Sequence, residues 1–382
     1  MIKIRFLTAS FMTVALACQA IADDTPIRIG ATMSETGAYA TQGRAASNGY
    51  RLCEQHLNDA GGLLGRPVEF IILDDQSDSD TAAALYEQLI TDSQVDAIMG
   101  PYGSTLTEAV APVTERHQMV HVTPLAATSS IWEQGREYLF MVLPPAELFL
   151  AGLIDIADGK GLQRAAILQE DSLFPRAAGN GAAQMVQQRG MQLVFHESYR
   201  SGQEDFSELI QALKQGEVEV LAMAASNLDD FIRVRQQMAD AGLELMFGTS
   251  GAVDEFAQAL GEKANGSFGL SAWEPSLPNP GIEHFVEAYQ HRFHRAPSFH
   301  AAGAYGACQL FAQAIRETAS LDQDALRTAM LNLETTTVFG PYAVDERGYQ
   351  TANQGVFIQW QEGEKVVVWP DDLASGAIKA RR

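Results

Sequence analysis

Residues 95–123 read VDAIMGPYGSTLTEAVAPVTERHQMVHVT, and this stretch decides the fold. A short apolar run over residues 95–99 is broken by Gly100-Pro101. Residues 105–117 then repeat apolar positions at helical spacing, and residues 120–123 form a second β-rich run stopped by Pro124. Strand, helix and strand in one short stretch make the repeating unit of a parallel α/β sheet.

The same alternation extends in both directions. Upstream, Ile27–Met33 and 68–73 read as strands, with helices over 43–60, ended by Gly61-Gly62, and over 80–91. Downstream, the pattern restarts with strands at 165–169, 192–196 and 218–223 and helices at 176–189, 205–214 and 228–241. Two α/β series without visible sequence repetition predict two lobes of similar architecture. Candidate hinge segments lie at 138–145, closed by two prolines, at 271–280, where Trp273, Pro275, Pro278 and Pro280 break any helix, and at 335–341. Three crossings make each lobe discontinuous: 23–144 plus 275–337, and 145–274 plus 338–382. Such an arrangement lets a cleft close like a jaw.

The first residues set the compartment. Lys3 and Arg5 precede an apolar run over 6–17, and Ala20-Ile21-Ala22 offers a small-x-small cleavage site. Residues 1–22 therefore read as a signal peptide with Asp23 as the mature N-terminus. Cys18 raises a lipoprotein alternative, but Ala15 stands where a large aliphatic is expected. No later stretch reaches the ~20 apolar residues of a membrane-spanning helix.

The formal net charge of −22 becomes −24 once the leader, with two bases and no acids, is removed. Nucleic acid and anionic membranes would repel such a chain, and no basic stripe exists to neutralise phosphates. Cys53 and Cys308 are the cysteines left after processing. An oxidising compartment permits a disulfide, though two buried free thiols is the reading favoured from the sequence.

In open α/β sheets, ligands bind beyond the carboxyl ends of strands, where loops lead into helix N-termini. The loop Gly100–Thr105 carries Tyr102 and Ser104, with Thr105-x-x-Glu108 as a capping box. Ser104 would sit beside unpaired backbone N–H groups, a seat for a carboxylate. After the next strand come Ala126, Ala127 and Thr128, with Ser130-x-x-Glu133 as a second box. The plainer alternative is that these hydroxyls only cap helices.

Enzyme signatures are missing. Gly248-Thr249-Ser250-Gly251 lacks the spacing of a nucleophile elbow, and neither a Walker loop nor G-x-G-x-x-G is present. Glu287, His291 and His294 are interleaved with Arg292 and Arg295 and read as solvated helix residues rather than metal ligands. Asp74, Asp75, Asp78 and Asp80 lack the offsets of a calcium loop and read as a strand-end loop with capping aspartates. No cofactor is implied.

Together, IRIGATMSETGAYATQG (27–43), NDAGGLLGRPVEFIILDDQSD (58–78), VDAIMGPYGSTLTEAVAP (95–112), VHVTPLAATSS (120–130), residues 285–315 and FGPYAVDERGYQ (339–350) resemble the type I periplasmic binding proteins. The likeness is to the branch containing the leucine/isoleucine/valine-binding proteins. It implies two Rossmann-like lobes joined by a three-strand hinge, with the ligand in the cleft between them. It also implies a periplasmic protein serving an inner-membrane ABC permease, or, alternatively, a sensor presenting its solute to a signalling partner.

The resemblance places a carboxylate grip on Ser104, Ala126, Ala127 and Thr128, and aromatic contacts on Tyr39 and Phe174. The loop that often holds an acid for the ligand ammonium falls on Thr249-Ser250, and the place of another common aromatic falls near Ser226-Asn227. Either Asp254, Asp171 or Glu35 supplies the missing acid, or the ligand is an amide, urea, organic acid or aromatic acid. Asp254 itself is expected to cap the helix Asp254–Leu260.

Overall fold

The computed structural model describes residues 25–379, so the expected leader and Cys18 lie outside the described residues. The chain begins with β1 (Ile27–Met33), α1 (Ala40–Asp59), β2 (Val68–Asp74), α2 (Ser79–Thr91), β3 (Ala97–Met99), α3 (Ser104–Arg116), β4 (His121–Thr123) and β5 (Leu139–Met141). The five strands form one parallel sheet in the order β2-β1-β3-β4-β5. Asp78 caps α2 by accepting the Thr81 N–H at 2.8 Å. Asp75, fully buried, accepts the Thr32 and Ser34 hydroxyls at 2.7 and 2.6 Å and fixes the loop that follows β1. The aspartate run therefore shapes a strand-end loop, as its spacing predicts.

A second series follows: α4 (Ala151–Gly159), β6 (Arg164–Glu170), α5 (Leu173–Gln188), β7 (Gln192–Tyr199), α6 (Ser207–Gln215), β8 (Val220–Ala224), α7 (Leu228–Asp240), β9 (Met246–Thr249), α8 (Asp254–Leu260) and β10 (Phe268–Ser271). Next come α9 (Ile282–Phe293), α10 (Phe299–Thr318), α11 (Gln323–Asn332) and the short hairpin β11 (Thr335–Thr336) and β12 (Pro341–Tyr342). Finally β13 (Val356–Gln361) and β14 (Glu364–Trp369) complete a seven-stranded sheet in the order β14-β13-β10-β9-β8-β6-β7. Here β6 to β10 run parallel, whereas β13 and β14 are antiparallel additions.

The chain passes between the two sheets three times. It leaves the first after β5, returns to pack α9 and α10 against α1, and goes back to the second sheet for β13. On α1, Ala45, Ala46, Gly49, Leu52, Cys53 and Leu57 recur at helical spacing and are all buried. The helix therefore hides one face against β2 and another against α10. A Cβ on Gly49 would lie 2.2 Å from the Ala301 carbonyl oxygen, so only glycine allows this approach. Leu52 is 1% exposed, and truncating it to alanine would cost about 2–5 kcal/mol.

The α1–α10 contact corrects the expectation of free thiols. Cys53 and Cys308 face each other across it and form a disulfide spanning 255 residues. Spacing along the chain carries no information on which two helices lie side by side.

Candidate ligand site between the two sheets

Strand order places the site. The first sheet reverses direction of winding between β1 and β3, and the second between β6 and β8. Loops at such switch points splay apart and leave a crevice. The loops and first helical turns after β1 and β3 contribute Gln42, Tyr102 and Gly103, and those after β6 and β8 contribute Phe174, Ala225 and Ser226, to a single cavity. Leu125, Phe299 and His300 extend the first wall; Leu143, Phe149, Leu228, Phe231, Ser250, Gly251 and Val253 complete the rest. No Asp, Glu, Lys or Arg is in this lining. The walls meet where the Tyr102 hydroxyl donates to the Ser226 carbonyl at 3.5 Å. Farther out, Arg295, between α9 and α10, pairs with Glu255 of α8 at 2.6 Å.

Each expected contact has a definite place. Tyr102, Phe174 and Ser250 line the cavity. Tyr39 stands beside it, its ring 5.3 Å from Tyr102, and burial with the nearby Glu170 carboxylate pushes its phenol up to about 12. Ser104 is buried at the first residue of α3, where its Oγ accepts the Ala127 and Thr128 N–H groups at 3.1 and 3.3 Å. Ser104, Ala126, Ala127 and Thr128 are thus brought together as one bonded loop pair, set behind Gly103 and Leu125. The Thr128 hydroxyl is buried without a protein partner.

Neither capping box forms. Gly103 occupies the N-cap of α3, leaving Thr105 exposed, while Glu108 turns to Arg136 at 3.1 Å. Residues Ser129–Gln134 form a short 3-10 helix whose Ser129 hydroxyl goes to Glu147 at 2.6 Å. Asp254 is the first residue of α8 rather than its cap, and it pairs with Lys365 at 3.1 Å. Asp171 is exposed and paired with Arg176, and neither it, Glu35 nor Asp254 lines the cavity. Among the described residues no group of His, Cys, Asp and Glu could hold a metal ion.

Three groups escaped the sequence reading. Gln42 and His300 line the cavity, are 6% and 4% exposed, and leave Oε1 and Nδ1 without a protein partner. Burial, helped by the Lys365 ammonium, drives the His300 imidazole down to about 3, so it is neutral at any ordinary pH. Glu170, 2% exposed at the end of β6, accepts the Ser226 N–H at 2.7 Å, and burial raises its carboxyl above the usual range. A signal for His300 was present: Pro297-Ser298 before a helical run marks a helix start, which puts the next residues at a helix mouth.

Two open α/β sheets, three connections and a cavity at paired switch points define a two-lobed solute-binding protein. A profile of the periplasmic binding protein family matches residues 26–365, and the chain belongs to that family, in its leucine/isoleucine/valine-binding branch. It is 25% identical over 405 residues to the Leu/Ile/Val-binding protein homolog 8 of Brucella suis biovar 1 (strain 1330), covering 99% of both chains. The fold matches the branched-chain amino acid substrate-binding protein LivJ of Streptococcus pneumoniae, solved with isoleucine, with a TM-score of 0.82, 20% identity, and 91% and 100% of the two chains covered. It also matches a solute-binding protein from R. palustris, solved with benzoate, with a TM-score of 0.80, 18% identity, and coverage of 90% and 96%. These relatives are substrate-binding proteins, not enzymes. Among the described residues no helix is long and apolar enough to cross a membrane.

Proposed function

We propose that the protein is the periplasmic solute-binding component of an ABC importer. It captures one small solute with an apolar body and a polar end in the cavity between its sheets, and offers the closed form to an inner-membrane permease. The observation that carries this reading is a largely apolar, aromatic-lined cavity whose lining includes Gln42 and His300, each with a buried polar atom that has no partner in the protein. Buried polar groups are nearly always hydrogen-bonded, so atoms left open here await a partner that the chain does not supply. Apolar walls with a few convergent polar groups are the usual build of a small-molecule site.

On this reading Tyr39, Tyr102, Phe174 and Ser250 contact the solute body, Gln42 and His300 meet its polar end, and Ser104, Ala126, Ala127 and Thr128 form the bonded loop pair that backs that end. The lobes divide at the three connections, 23–144 plus 275–337 against 145–274 plus 338–382, and the leader at residues 1–22 delivers the chain to the periplasm. A solute bound only by the folded state must raise its melting temperature. The test is a thermal-shift screen of amino acids, amides and carboxylates on protein unfolded and refolded free of solute. A saturable shift with one or a few members is expected; a flat response to all of them contradicts the proposal.

A further inference from the structure

We infer that the cavity selects a solute carrying a carboxylate and no ammonium: an apolar monocarboxylate in preference to the α-amino acid with the same body. This rests on the cavity being the solute site, as proposed above, and names the charge class it takes.

Five helices of nine or more residues open onto the cavity by their N-terminal ends. Gly103 caps α3, Leu228 begins α7, Phe174 and His300 are second in α5 and α10, and Gln42 is third in α1. Helix ends of this kind carry a partial positive charge and leave N–H groups without intrahelical partners, although at α7 the Asn227 side chain accepts the Asp229 N–H and Asp229 and Asp230 stand in the first turn. Convergence of this kind follows from the topology and does not by itself define a ligand. The side chains add the second observation. His300 Nδ1 and Gln42 Oε1 belong to groups more than nine-tenths buried, with no partner in the protein. A neutral imidazole carries one N–H, and a side-chain amide turns its NH2 group to whichever partner is present, so both can donate to a carboxylate oxygen.

Nothing comparable answers a cation. The lining contains no acid. The Ser250 hydroxyl is engaged with Ala225, accepting its N–H at 3.2 Å. Of the charges behind the walls, Lys365 lies near enough to His300 to depress its basicity, with Asp254 and Glu274 at 3.1 and 2.9 Å sharing that charge. Glu170 stands behind Ser226, accepts its N–H, and lies near enough to Tyr39 and Tyr102 to raise their phenols, so it is the nearest acid to the cavity although it does not line it. An ammonium would therefore be desolvated against positive helix ends with no charged partner in the lining, whereas a carboxylate meets those ends and two side chains able to donate to it.

The test is titration calorimetry on refolded, solute-free protein with three matched classes: benzoate and 4-methylpentanoate, leucine and phenylalanine, benzamide and 4-methylpentanamide. The acids should bind at least tenfold tighter than their amino-acid and amide counterparts. Tighter binding of leucine or phenylalanine than of the acids overturns the inference. Should Glu170→Gln, checked for an unchanged circular dichroism spectrum, then erase that preference, the ammonium is answered by Glu170. Amides that lead, or another solute class from the thermal screen that binds while the acids do not, also overturn it. Silence from the whole screen is a separate result, since it removes the solute-site reading itself.

Discussion

Replacing His300 with phenylalanine should flatten the dependence of stability on pH. His300 is 4% exposed, with ring centroids of Phe299 and Tyr102 at 3.8 and 5.6 Å, so a phenyl ring suits the space. Folding pushes the imidazole from its ordinary 6.5 down to about 3, first through burial and then through the Lys365 charge. A depressed cationic group contributes stability that is full above 6.5 and falls as the unfolded chain takes up the proton. The loss grows by about 1.4 kcal/mol per pH unit below 6.5 and saturates near the folded value. Between pH 7 and pH 5 it comes to about 2 kcal/mol. His121, held down to about 4 by burial, adds a similar slope, and Asp75, Glu170 and Glu274, raised by burial, add the opposite one. Those contributions are common to wild type and variant, so their difference isolates His300. Urea unfolding of solute-free protein at pH 7, 6 and 5 measures it. Wild type should lose about 2 kcal/mol relative to the variant between pH 7 and pH 5; parallel curves would mean that His300 is not held neutral by burial.

Three other changes probe separate parts of the account. Reducing the Cys53–Cys308 disulfide should cost about 2–5 kcal/mol in chemical unfolding, because the bond closes a 255-residue loop; identical curves with and without reductant would refute the pairing. Ser104→Ala should weaken solute binding and also lower the solute-free stability by about 1–3 kcal/mol, since it leaves the buried Ala127 and Thr128 N–H groups without their acceptor. An effect on affinity alone, read by calorimetry and melting together, would show that the loop does not depend on Ser104. Arg295→Gln removes the ion pair with Glu255, whose partners are 49% and 29% exposed, so solvent screening limits its worth to about 0.2–1 kcal/mol. Solute affinity should fall by less than about fivefold and the difference should vanish in high salt; a larger, salt-independent loss would point to a contact other than this pair.

The element pattern was readable because hydrophobic period and breakers agree along most of the chain. Ile27–Met33 and Asp254–Leu260 match their expected bounds. Helix α5 starts at Leu173, three residues before the expected 176, because Pro175 falls in the first turn, where a missing N–H costs nothing. The cap sites were misread for a related reason. A Ser or Thr before an apolar run signals a helix start, but Ser104 spends its oxygen on a loop that arrives from the next strand. That partner is visible only in three dimensions. The disulfide, the place of Glu170 behind Ser226 and the presence of Gln42 of α1 and His300 of α10 in one cavity are likewise long-range facts. Tyr102 was legible because it follows a strand at a position where loops of this topology face a crevice, whereas Phe174 and Ser250 came through the family resemblance.

Whether the cavity between the sheets is where a solute sits can be asked by filling it. Ser226 lines the wall from the second sheet, and its side chain has no hydrogen bond to lose, so Ser226→Trp places an indole in the cavity without removing a side-chain bond. Calorimetric titration of the tightest solute from the thermal screen should give one molecule per wild-type chain and no binding to the variant, with circular dichroism unchanged. Wild-type affinity and stoichiometry in a folded Ser226→Trp protein would contradict the account.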